Sequence, residues 1–118
     1  MKKLQRQEFL DARESFRRIR VQYPLPRGLS LRFREGGDGF TVRLSVRLSD
    51  GLWADKCCLS FSEIADSRDL DSHILLYYRH MVEAVARIAL KHPAHSEKLA
   101  PVAALYHSLP HQRGRARL

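Results

Sequence analysis

The chain has 118 residues with 44% apolar and 29% charged side chains, and a net charge of +8 with an isoelectric point near 10.1. That length suits one domain around one core, and the composition excludes wholesale disorder. The excess of cations favours a polyanionic partner: nucleic acid, anionic lipid or an acidic protein surface.

In chain order, residues 4–22 read as a helix, with Phe9, Ala12, Phe16 and Ile19 at spacings of three and four, continued by Tyr23. Arg6, Arg13, Arg17 and Arg20 fall on its opposite face, interspersed with Glu8, Asp11 and Glu14. The mixed charge favours ordinary surface pairing, and without a Trp on the apolar side a membrane-lying helix is the weaker reading. Pro24 and Pro26 end the helix, and Gly28 turns the chain.

Leu29, Leu31 and Phe33 then alternate with Ser30, Arg32 and Arg34, the period of a strand. The stretch from Glu35 through Gly39 connects this strand to a second one. There Phe40, Val42, Leu44, Val46 and Leu48 alternate with Thr41, Arg43, Ser45 and Arg47. Asp50-Gly51 makes another tight turn, and residues 52–61, containing Trp53, give a third, less regular strand. Ser60 and Glu63 have the spacing of a capping box, and Asp69 or Asp71 is placed to cap the next helix. That helix runs over residues 70–91 with Leu70, Ile74, Tyr77, Met81, Val85 and Ile88 on one stripe, and Pro93 stops it. A last helix spans residues 96–109, broken or started at Pro101.

The fold class predicted is α+β: an N-terminal helix, a three-stranded antiparallel meander, and two C-terminal helices on one face of the sheet. Residues 1–109 form the single domain and residues 110–118 a flexible basic tail carrying Arg113, Arg115 and Arg117. The opposite face of the sheet is left open, and a homodimer, if one forms, is open to pairing through an exposed third strand.

Alternation puts Arg32, Arg34, Arg43 and Arg47 together on that open face. Like charges on neighbouring strands repel, so either Asp55 and water screen them or they are used on a phosphate or carboxylate, which the planar guanidinium fork matches. Candidate anion-binding residues are therefore these four, with Arg17, Arg20 and the tail arginines as extensions. Aromatic residues for base stacking are sparse on the open face, which argues against recognition of single strands by stacking. Trp53 and Tyr106 are the candidate anchors if the partner is instead a protein.

Cys57 and Cys58 are adjacent, so on a strand they point to opposite faces and form neither a disulfide nor a metal knuckle. His92 and His95 flank Pro93, and His73 and His80 lie seven residues apart, which suits surface and helix-end roles over metal binding. The glycine-rich connection lacks a lysine and a following helix, and no nucleophile–base or paired-carboxylate spacing is present. No catalytic residue, cofactor or metal is expected. No signal peptide or membrane span is expected either, since no apolar run is long enough, and a cytoplasmic setting follows.

In element order the chain resembles double-stranded-RNA-binding domains. The lysine cluster that such domains carry at the start of the final helix is replaced here by Asp69, Asp71 and Ser72. The expected function is a non-catalytic nucleic-acid-binding accessory protein gripping phosphates. The alternative is a protein-binding module or inhibitor, of phage or mobile-element type, docked on an acidic partner.

Overall fold

The structure, a computed structural model, describes residues 6–110. Arg113, Arg115 and Arg117 of the expected tail lie outside the described residues.

Helix α1 (Gln7–Gln22) buries Phe9, Ala12, Phe16 and Ile19, the stripe its spacing predicts, and also Ser15. Three strands follow: β1 (Leu29–Gly36), β2 (Gly39–Leu48) and β3 (Gly51–Ser60). They form one antiparallel sheet in the order β1-β2-β3. Both hairpins close on two-residue turns, because Gly36 pairs with Gly39 and Leu48 with Gly51. Gly37 adopts φ +60° as the first central residue of its turn, a conformation that suits glycine. Gly39 is required for a different reason: a Cβ there would sit 1.9 Å from the Leu59 carbonyl oxygen of β3.

The third strand is as regular as the other two, paired to β2 without a skip from Gly51 to Ser60. It ends one residue earlier than its pattern suggests, since Phe61 opens the short helix α2 (Phe61–Ala65). The capping box at Ser60 and Glu63 is present in both halves. Of the two candidate caps for helix α3 (Leu70–Ala86), Asp69 takes the position, its carboxylate accepting from the Ser72 N–H at 3.2 Å. Asp71 instead joins α3 to α1, accepting from Ser15 and pairing with Arg18 at 2.8 Å.

The helix expected over residues 70–91 is divided. α3 ends at Ala86, Arg87 stands between, and α4 (Ile88–Lys91) follows as a separate turn. A 3₁₀ turn, Pro93–His95, leads into α5 (Ser96–Ser108). α5 runs through Pro101 without breaking, giving up one backbone hydrogen bond.

α1 and α3 pack against the sheet face formed by Leu31, Phe40, Val42, Leu44, Val46 and Leu59, and α5 packs on α3. Edge-to-face contacts of Phe9 with Phe40 at 5.2 Å and Phe16 with Phe33 at 5.4 Å tie α1 to this side. Tyr78, beside the expected stripe residue Tyr77, is the one fully buried, and its hydroxyl donates to the Tyr23 carbonyl at 2.6 Å. Among the described residues, no helix is long and apolar enough to cross a membrane. Among the described residues, the helices that touch the sheet lie on one side, and none covers the other face.

Candidate functional site

The bare face is the candidate site, and its composition follows from strand parity. With Leu31, Val42, Leu44 and Val46 buried inward, residues one position along must point outward. The pairing register turns that alternation into rows. Arg32 lies opposite Arg43, and Arg43 lies opposite Lys56. Arg34 shares the next row with Thr41 and Cys58, and Arg47 pairs with Leu52 two rows away on the other side. Ser30 and Ser45 lie between, their hydroxyls 3.0 Å apart.

Arg32, Arg34, Arg43, Arg47 and Lys56 are all exposed. No outward strand position holds a carboxylate or an aromatic ring. Among the described residues none of the five cations has an ion-pair or hydrogen-bond partner. Arg6, Arg17 and Arg18, at the start of α1 and along it, differ in this respect, whereas Arg13 and Arg20 of the same helix make no ion pair among the described residues. Arg6 pairs with Glu8 at 3.2 Å, Arg17 is held by Glu14, and Arg18 is held by Asp71.

Asp55, the screening group that the sequence offered as one alternative, makes no ion pair with the row, although it borders the same depression as Arg32, Arg34, Arg43 and Lys56. It pairs with Leu44 and so belongs to the inward set. Burial pushes its carboxyl above the usual range, opposed in part by nearby His80. Lys56, not singled out by sequence, completes the row in its place. The signal was available in the even-numbered positions of β3, but Trp53, Ala54 and Asp55 do not show a clear apolar alternation.

The face has two shallow depressions that share Arg32 and Arg43. One is lined further by Phe33, Arg34, Thr41, Asp55 and Lys56, the other by Ser30, Ser45 and Arg47. Arg17 and Arg20 are not brought onto this face. They line a separate groove with Arg13 and Glu14, which meets the sheet at half-buried Phe33 on the free edge of β1.

Trp53 is half-buried on the inward side, its indole N–H donating to Asp50 at 2.8 Å. His92 packs on its ring at 4.8 Å, and buried His95 reaches Asp50 at 3.1 Å. Hydrogen bonds from Trp53 and His95 hold the Asp50 carboxyl below its ordinary range. Tyr106 packs between α5 and α3, its hydroxyl accepting from Arg79 at 3.1 Å. Both candidate protein anchors are thus engaged within the fold, away from the cationic rows.

A second polar cluster centres on Glu63. Tyr77 donates to its carboxylate at 2.6 Å, His73 lies 2.9 Å away, and the Ser60 N–H donates at 2.8 Å. Burial pushes the Glu63 carboxyl up, but these hydrogen bonds outweigh it and hold the group below the usual range. The cluster locks β3 through α2 to α3. Cys57 points inward against Met81, and burial pushes its thiol up to about 12. Cys58 is exposed on the opposite face, as adjacency on a strand requires. Among the described residues no three His, Cys, Asp or Glu side chains gather as a metal-ligand set.

Comparison with protein families, with curated proteins and with solved structures gave no match to this chain.

Proposed function

We propose that the chain is a non-catalytic nucleic-acid-binding accessory protein of the cytoplasm, contacting phosphates through the open face of its sheet. The observation that carries this reading is the row Arg32–Arg43–Lys56, flanked by Arg34 and Arg47, with no carboxylate at an outward strand position and no ion-pair or hydrogen-bond partner among the described residues. Cations placed directly opposite one another destabilise a sheet. A phosphate between them reverses the sign of that interaction and accepts bidentate hydrogen bonds from each fork.

The test is fluorescence anisotropy with labelled DNA and RNA at about 50 mM and about 200 mM salt, the range in which phosphate binding weakens steeply. The parent protein is compared with one carrying Arg32→Ala, Arg34→Ala, Arg43→Ala and Arg47→Ala. Loss of four phosphate contacts should lower the salt slope by about four. Binding indifferent to the four substitutions would remove the sheet face from consideration. Absence of binding to any nucleic acid would move the search to an acidic protein partner.

A further inference from the structure

The geometry points to a duplex, held by the phosphates of its two backbones without reading of base sequence, as the ligand of the open face; this rests on the nucleic-acid reading above. Three features lead there.

The first is the absence of any aromatic side chain at the outward positions of β1, β2 and β3. Proteins that hold single strands offset the ordering of a flexible chain by stacking bases on rings, and this face offers only Phe33, half-buried at its edge with its ring packed on Phe16. A duplex arrives with its bases already stacked and its phosphates already in a regular array, so a rigid set of cations suffices.

The second is the width of the face. A major groove about 12 Å wide admits a helix or a two-stranded ribbon. Three strands about 4.8 Å apart, with their flanking side chains, present a face of about 14 Å. The open face therefore lies across backbones instead of entering a groove, and its arginines meet phosphates in place of base edges.

The third is the arrangement of the two depressions. They lie on either side of the Arg32–Arg43 pair, one toward Arg34 and Lys56 and one over the Ser30–Ser45 hydroxyls toward Arg47. Arg43 and Arg47 are four residues apart on β2, about 14 Å at strand rise. The cations are thus divided into a dense group and an outlying one, separated by about the width of a groove. Each depression faces the phosphates of one backbone, and the two backbones are opposite ones, so that the five cations neutralise about five phosphates in all.

The experiment uses the full chain and labelled 20-base-pair duplex DNA, duplex RNA and the matching single strands, each in several unrelated sequences, followed by anisotropy across a salt series. Duplexes should bind at least tenfold tighter than their separated strands, with sequences of one class agreeing within about threefold. Neutralising five phosphates on B-form DNA gives a log–log salt slope of about −4.5. Tighter binding of the RNA duplex would identify A-form geometry as the source of the phosphate array, and equal binding would identify phosphate spacing alone; both support a duplex ligand. Arg43→Ala should weaken duplex binding at least fivefold, whereas Lys98→Ala on α5, an equal loss of charge elsewhere, should change it less than twofold. Single strands bound as tightly as duplexes, or a tenfold preference among duplex sequences, would overturn the inference while leaving the nucleic-acid reading intact. Binding to no nucleic acid at all would overturn the functional reading itself.

Discussion

If the outward cations repel one another with nothing between them, removing the central one should stabilise the fold. Arg43 on β2 faces Arg32 on one side and Lys56 on the other, with no carboxylate among the outward strand positions. Two unit charges about 7 Å apart in water cost about 0.6 kcal/mol, and Arg43 has two such neighbours. Directly opposed like-charged pairs fall in the same range, about 0.2–1 kcal/mol each. Replacement by Thr, a residue well suited to a strand, should therefore gain about 1 kcal/mol at low salt, less whatever packing the arginine stem supplies. In a domain of this size that raises Tm by about 4 °C. Thermal unfolding of the parent, Arg43→Thr and Arg43→Lys, followed by circular dichroism at about 10 mM and about 1 M salt, measures it. At the higher salt the screening length falls to about 3 Å, so most of the gain should vanish. Arg43→Lys, which keeps the charge, should show no comparable gain. A variant less stable than the parent at low salt, or a gain that salt leaves unchanged, would refute the reasoning. It would mean that the arginine is retained for packing.

Other consequences follow from particular contacts. Glu63→Gln keeps the capping geometry but loses the charge on which Tyr77, His73 and the Ser60 N–H converge, which should cost about 1 kcal/mol near neutral pH. Because the folded Glu63 carboxyl is held low, its contribution is present above the unfolded value near about 4.3 and is lost as pH falls through the folded one. Denaturant melts from about pH 7 to pH 3 should show the deficit of the variant shrinking toward zero, and a deficit independent of pH would show the charge to be irrelevant. Gly39→Ala drives a Cβ into the Leu59 carbonyl and should cost at least about 2 kcal/mol or prevent folding, while Gly36→Ala, in open space on the paired residue, should be far milder. Equal melts for the two alanine variants would contradict the close approach. With N-ethylmaleimide at about pH 7.5, mass spectrometry should find Cys58 modified and Cys57 spared until the protein is unfolded, since Cys57 is half-buried against Met81 with its thiol pushed up to about 12.

Much of the fold was legible because its signals are local. The alternation in residues 40–48 specifies both strand and face, and two-residue turns then specify register, so Arg32 opposite Arg43 follows from sequence once the hairpin is recognised. The features that escaped depend on tertiary docking. Asp55 is inward because β3 has an outward Ala54 and a half-buried inward Cys57, an alternation too weak in hydrophobicity to reveal its phase. Lys56 was missed for the same reason. The break at Arg87 carries no Gly or Pro. The burial of His95 arises only when the turn after α4 folds back onto Trp53 and Asp50. Pro101 suggested a break that packing of Leu99, Val102 and Leu105 overrides.

The most direct test uses the thiol that the fold already places on the cationic face. Cys58 shares its row with Arg34 and Thr41, while Cys57 behind it serves as an internal reference. The rate of Cys58 alkylation by a neutral maleimide is measured with and without a 20-base-pair duplex at a concentration that saturates binding by anisotropy. A duplex lying on the face should slow Cys58 modification at least fivefold while Cys57 stays unreactive throughout. Full occupancy with Cys58 reacting at its free rate would place the ligand elsewhere and contradict the account.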